Sequence, residues 1–207
     1  MKIGILGSGS VAQALAAGLV KHGHSVMLGS REPAKIAGWP AGSPADAAAF
    51  GELLILAVKG GAALAVLQAA GAAALAGKTV IDACNPIADA PPVDGVLRYT
   101  TGPNESLMEA LQQAFPAAHF VKAFNSVGSA HMVDPQFAGG PPTMFIAGNH
   151  EAAKAQVSVL LRDLGWEAAN MGTVVAARAI EPLAMLWCIP GLRSNQWSHG
   201  FKLLQRA

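Results

Sequence analysis

Short apolar runs alternate with longer, alanine-rich stretches along the chain. That alternation is the pattern of β-strands joined by helices into a parallel sheet. Lys2–Leu6 and Ser25–Gly29 read as the first two strands, residues 53–58 as the third and 79–83 as the fourth. The third is unbroken in apolar residues, as a strand covered on both faces should be. Residues 11–21 read as the first crossover helix, stopped at Gly23. Ser43 and Pro44 set up a short helix, with serine as cap and proline in the first turn. Ser106 and Glu109 read as a capping box opening a helix that reaches Phe115. Further strands are expected at 120–124, 143–147 and 166–169, with a helix over 151–164 between the last two and a final long helix over 174–188. The expected fold is α/β: a Rossmann-type doubly wound, mainly parallel sheet with a short helical C-terminal appendage.

Composition narrows the class. The formal net charge is +1 and only 13% of residues are charged, so nothing favours nucleic acid or an anionic lipid surface. Cys84 and Cys188 stand far apart in no metal-ligand spacing and read as free, buried thiols. The six histidines show no metal spacing either, so no metal is assigned. No charge occurs between Lys59 and Lys78, but the stretch is mostly Ala and Gly and contains Gln68. A buried crossover helix is expected there, and no membrane span. The N-terminal apolar run is interrupted by Gly7, Ser8, Gly9, Ser10 and Gln13, which argues against a signal peptide. The expected location is cytoplasmic.

The first strand leads directly into Gly7-Ser8-Gly9-Ser10-Val11-Ala12, a G-x-G-x-x-A turn that opens a helix. Gly7 permits the tight turn, Gly9 lets a pyrophosphate approach the backbone, and the small Ala12 lets the helix pack closely on the sheet. The helix N-terminus then offers unpaired N–H groups and a positive dipole end. A dinucleotide site follows.

The end of the second strand bears on which dinucleotide. It reads Gly29-Ser30-Arg31-Glu32-Pro33-Ala34-Lys35. Ser30 can donate to a 2′-phosphate, Arg31 can clamp or stack on it, and Lys35 adds charge. Glu32 stands near the position of the carboxylate that holds a ribose 2′-OH in NAD sites. If it turns to solvent or pairs with Lys35, the site takes NADP(H); NAD is the alternative. On this reading residues 1–172 form the NADP-binding domain, and 173–207 a helical segment that walls an acceptor site or makes a dimer contact. Two long loops, 85–105 and 126–142, leave strands on the ligand-binding edge, and each is a candidate lid or substrate wall.

With these residues in place the chain resembles the family of coenzyme F420-dependent NADP oxidoreductases, whose relatives include the oxidoreductase domain of membrane metalloreductases. The likeness rests on Gly7 to Ala12, Gly29-Ser30-Arg31, Ala57-Val58, Asp82-Ala83-Cys84-Asn85-Pro86, Val121-Lys122-Ala123-Phe124-Asn125, Met144 to Gly148 and Arg178-Ala179-Ile180-Glu181. It implies that Ser8 to Val11 face the pyrophosphate and that Ser30 and Arg31 face the 2′-phosphate. It also implies that Val58 and Lys59 lie beside the nicotinamide ribose, and Asn85, Pro86 and Ala123 near the ring. Glu32 stands where the F420 enzymes tend to carry a second basic residue, which leaves the use of F420 itself open. No membrane haem domain follows, so a membrane metalloreductase is not expected.

The expected activity is hydride transfer between NADP(H) and a second redox ligand: coenzyme F420, a flavin or a small molecule. Such transfer asks little of protein side chains beyond positioning and exclusion of water. One alternative is a C=N or C=O reductase resembling pyrroline-5-carboxylate reductase, which would need a proton donor. His131 on the second long loop is the candidate, although an uninvolved surface histidine is the simpler reading. A non-catalytic NADP(H) sensor is the other alternative. Trp187, Trp197 and Phe201 could wall a planar acceptor, but packing or a homodimer contact is the preferred role.

Overall fold

A computed structural model describes residues 1–206. Six parallel strands form the central sheet in the order β3-β2-β1-β4-β5-β6. They are β1 (Lys2–Leu6), β2 (Ser25–Gly29), β3 (Ala41–Gly42), β4 (Leu53–Leu56), β5 (Thr79–Asp82) and β6 (His119–Lys122). A second parallel pair, β7 (Thr143–Ile146) and β8 (Glu167–Asn170), joins β6 through an antiparallel bridge between Lys122 and Ala147. The ladders align Gly29, Leu6, Leu56, Asp82 and Lys122 in one row across the C-terminal ends of the five main strands. Strand order reverses between β1 and β4, which puts the ligand-binding crevice at that point of the same edge.

Alternation along each strand divides the core. Ile3, Ile5, Ile55, Ile81 and Val121 face one layer, shared with α1 (Ser10–Lys21) and α6 (Glu151–Asp163). Leu6, Leu54, Leu56, Val80 and Phe120 face the other, with α2 (Pro44–Phe50), α3 (Gly60–Ala70) and α5 (Leu107–Ala114). All four residues of β4 are fully buried. Burial of each such side chain stabilises the fold by about 1.5–3 kcal/mol.

Several local readings change. The ladders stop at Leu56, Asp82 and Lys122; residues 57–58, 83 and 123–124 turn away into the edge loops. The two-residue β3 carries no pattern of its own. The uncharged stretch after Lys59 forms α3 and a short α4 (Ala72–Leu75), interrupted at Gly71. At Ser106 only half of the expected capping box forms. The Ser106 hydroxyl accepts the Glu109 N–H, but the Glu109 carboxylate turns to Arg178, 2.7 Å away. The reciprocal box lies at Ser43 and Asp46, where each side chain accepts the other's N–H.

The final helix is also not the single element expected over 174–188. A 3₁₀ turn leads into α7 (Ala177–Ile180), and α8 (Leu183–Ser194) runs on through Pro190. By length and composition Val174–Ser194, with a mean hydropathy of 1.3, is the one helical stretch among the described residues that could cross a membrane. Its Glu181 is 1% exposed, bonded deep within the domain. Both cysteines are free thiols.

A stacked histidine pair gives the fold an acid sensitivity. The ring of His119, opening β6, lies 3.8 Å from that of His150, whose Nδ1 accepts the Ala153 N–H at the start of α6. Burial, then the His150 charge, lowers the His119 pKa from its ordinary value near 6.5. A base depressed in the folded state adds stability above its unfolded pKa and loses it as pH falls through the folded value. Tm should therefore fall as pH drops from 7 to 5. His24 is depressed in the same direction, by burial first, so a residual acid slope is expected in His119→Gln. An unchanged slope in that variant would remove the stacked pair as a cause.

Candidate active site at the strand switch

Gly7 leaves β1 with φ +139°, a region closed to ordinary side chains. A Cβ there would strike the carbonyl of Ala57. Gly9 caps α1 without a side-chain bond, and a Cβ added to it would meet nothing within 4 Å. The Gln13 N–H is the first to bond back, to the Gly9 carbonyl at 3.0 Å. The amides of Ser10, Val11 and Ala12 therefore precede the intrahelical ladder and point out of the helix end. Ala12 is fully buried against the sheet.

These amides open into a cleft of about 1320 Å³. Its walls are the glycine turn, the end of β2 at Ser30, Arg31 and Glu32, the start of α3, and the strand ends at Ala57, Val58, Lys59, Cys84 and Asn85. Ala62, Ala65, Val66 and Ala69 give α3 a small-residue face toward it, and Ile87 to Pro91 with Thr100 close the far side. Of the two long loops, only the first reaches the cleft. The second is tied to the other end of α1: Asp134 accepts from Lys21 at 2.5 Å and from His22 at 2.9 Å, and Val133 packs against Gly18. Those bonds hold the Asp134 carboxyl below its usual range, the Lys21 contact contributing most.

At the end of β2, Glu32 takes the pairing with Lys35 that favours NADP(H). Its carboxylate pairs with Lys35 at 2.6 Å, and its N–H donates to the Ser30 hydroxyl at 3.1 Å. Lys35 is thereby held on Glu32 and does not line the cleft. Arg31 lines it, and no carboxylate pairs with its guanidinium among the described residues.

Beneath the opposite end lies a charge network that the strand pattern does not reveal. Lys122 is fully buried, its ammonium 2.7 Å from Asp82 and 2.8 Å from Glu181, and it donates to the Cys84 carbonyl at 3.0 Å. Burial opposes its charge, but the two carboxylates outweigh burial and hold its pKa above the ordinary lysine value. Asp82 also accepts the Cys84 N–H, while Glu181 accepts the N–H groups of Leu107 and Met108 at the start of α5. The Cys84 thiol donates to Leu56, and burial pushes its pKa well up. Phe124 adopts a left-handed backbone (φ +62°), and the next residue, Asn125, turns to Asn85. Each amide donates to the other residue, Asn85 to the Asn125 carbonyl and Asn125 to the Asn85 side-chain oxygen.

The expected site residues thus divide. Gly7 to Val11, Ser30, Arg31, Ala57, Val58, Lys59 and Asn85 come together on the cleft. Ala12, Pro86 and Ala123 are buried behind it. His131 stands 5.4 Å from Phe137 on the second loop and is not on the cleft wall. Trp187 packs against His199 and Trp197, the Phe201 carbonyl accepts the Thr143 N–H, and none of the three aromatics lines the cleft. The 87–91 wall belongs to the first long loop expected there, whereas the α3 face was missed, because a small-residue surface carries no sequence signal. Lys122 did leave one: a charge inside an apolar strand.

A sheet in this order, with a glycine turn at its switch point and an open helix end above it, defines a dinucleotide-binding protein of the Rossmann class. The chain belongs to the family of coenzyme F420-dependent NADP oxidoreductases. The family pattern, NADP oxidoreductase coenzyme F420-dependent, matches residues 2–86. A proposed F420-dependent NADP-reductase from Arthrobacter sp. FB24 is 34% identical, with a TM-score of 0.91 over 99% of this chain and 100% of that one. Metalloreductase STEAP3 of Rattus norvegicus is 34% identical over 202 residues, which is 92% of this chain but 38% of that protein. An imine reductase from Streptomyces aurantiacus, at 20% identity and a TM-score of 0.67 over 94% of this chain and 64% of its own, shares the fold. The open space at Gly9, the free helix-end amides and an Arg31 guanidinium without a carboxylate partner fit an NADP cofactor.

Proposed function

We propose that the protein transfers hydride between NADP(H) and a second redox ligand, a ring acceptor such as coenzyme F420 or a flavin, or a small redox molecule. The carrying observation is the make-up of the cleft beyond Asn85. Its walls there are Ile87, Ala88, Ala90, Pro91 and Thr100 with a single carboxylate, Asp89, and the one nearby thiol is locked on a backbone carbonyl. Walls that are mostly small and apolar exclude water and position rings. The cleft, at about 1320 Å³, exceeds the roughly 300–1,000 Å³ common for a single small-ligand site, as a dinucleotide requires.

In this reading the amides of Ser8 to Val11 hold the pyrophosphate, and Ser30 and Arg31 hold the 2′-phosphate. Val58 and Lys59 lie along the second ribose, and Asn85 orients the reactive end. When bound, NADPH supplies the hydride. The test is an acceptor screen that follows loss of NADPH absorbance with F420, FMN, a cyclic imine and a ketone. Turnover with the deazaflavin or flavin is expected. Turnover with the imine alone would make the protein a C=N reductase, with Lys59 or Asp89 as the proton sources to examine. Tight NADPH binding with no turnover would make it a sensor.

The protein is further proposed to act as a cytoplasmic homodimer through the outer face of α8, where Leu186 is 55% and Leu192 40% exposed. Exposed apolar side chains on one helix favour association. Sedimentation should give a dimer for the wild type and a shift to monomer for Leu186→Glu; a wild-type monomer would overturn this.

A further inference from the structure

The Asp82–Lys122–Glu181 network touches no part of the cleft surface, yet it is built directly beneath the residue that closes its reactive end. Asp82 and Lys122 face each other across the last rung of the β5–β6 ladder, with both side chains fully buried. Buried ion pairs do not repay their desolvation by stability alone, so the arrangement calls for another explanation. Its bonds supply one. The Cys84–Asn85 peptide is fixed through Cys84 on three sides: its N–H by Asp82, its carbonyl by Lys122 and its thiol by Leu56. On the Asn85 side, the start of α3 presses so closely that a Cβ at Gly60 would strike the Asn85 carbonyl. The Asn85 side chain is held by Asn125, whose amide also donates to the Ile180 carbonyl, and the Lys122 bond ties the Cys84 backbone to the same C-terminal segment through Glu181.

We propose that Lys122 is a positioning residue for the reactive half of the cofactor. It holds the Cys84 carbonyl, so that Asn85 presents its face to the cleft in one orientation, and it anchors that orientation to the C-terminal helices through Glu181. Lys122 touches no ligand in this account and acts through Asn85. The inference rests on the NADP(H) reading above, in which Asn85 lies at the nicotinamide end. The adenosine end, at Ser30 and Arg31, lies across the strand switch and shares no bond with the network.

That separation supplies the test. Asp82→Asn combined with Lys122→Met preserves the net charge of the buried group, keeps an acceptor for the Cys84 N–H and leaves Glu181 on the α5 amides. It removes the bond to the Cys84 carbonyl. Wild type and variant are titrated with NADPH and with adenosine 2′,5′-bisphosphate, which carries only the adenosine half, and the fluorescence of bound NADPH is recorded. The double variant should bind the bisphosphate within twofold of wild type, bind NADPH about tenfold more weakly, and lose the wild-type fluorescence change on binding. Equal losses for both ligands, or no loss for either, would overturn the proposal. Should the double variant not fold, Glu181→Gln decides: it keeps the Lys122–Asp82 pair and should show the same discrimination at about two- to threefold, and parallel losses would refute the role. Failure of wild type to bind the bisphosphate at all would instead sink the NADP reading, and the positioning role with it.

Discussion

Arg31→Ala should weaken NADPH binding about ten- to a hundredfold and leave NADH binding nearly unchanged. The guanidinium lines the cleft with no carboxylate partner, so its charge is available to a 2′-phosphate. Hydrogen bonds to a charged group contribute about 1.5–3 kcal/mol, and each 1.4 kcal/mol is a factor of ten in affinity. NADH has no phosphate at that position and should lose only stacking. Glu32→Ala supplies the opposite control. Its carboxylate is engaged with Lys35, so removing it should relieve repulsion toward the phosphate and improve NADPH binding by a small factor, with little change in stability because the pair is exposed. Isothermal titration with both nucleotides reads all of these effects. Equal losses for NADPH and NADH in Arg31→Ala would end the 2′-phosphate assignment.

The two glycines of the phosphate turn should fail in opposite ways. Gly9→Val should fold with a Tm close to wild type, since a side chain there enters open space, yet bind NADPH at least a hundredfold more weakly because that space is where the phosphates approach. Gly7→Val should instead lose the fold. The position needs a backbone that a β-branched residue does not adopt, and its Cβ would enter the Ala57 carbonyl. A cost of about 3 kcal/mol or more is expected from strain and overpacking together. Thermal melts and NADPH titrations of both variants separate the roles. A destabilised Gly9→Val, or a stable Gly7→Val, would reverse the assignment.

Much of this was legible from local pattern. Strands β1, β2, β4 and β5 announce themselves as apolar runs between turn residues, and the glycine turn follows from three positions in a row of six. Arg31 and Glu32 were both visible, but their division of labour depended on Lys35 lying within reach of the carboxylate. Other features needed the third dimension. The 85–105 and 126–142 loops look alike in sequence, and only the docking of Val133 and Asp134 onto α1 draws the second away from the cleft. His131 went with it. The partners Lys122 and Glu181 come from a strand and from the distant turn between α7 and α8, and no periodicity links them. Helix α8 continues past Cys188 and through Pro190 to Ser194, with Trp187 and Gly191 buried along it.

The buried triad also has a consequence for how this sequence can drift. Asp82, Lys122 and Glu181 sit on three separate segments, and losing one partner of such a group costs about 3–5 kcal/mol, a large part of the roughly 5–15 kcal/mol that holds a domain folded. A lineage that removes one of the three charges therefore passes through a destabilised ancestor before the other two can adjust. The three positions should be inherited as a unit, retained together or replaced together by an uncharged set, even though two of them are neighbours in the sheet and the third enters from the far end of the chain.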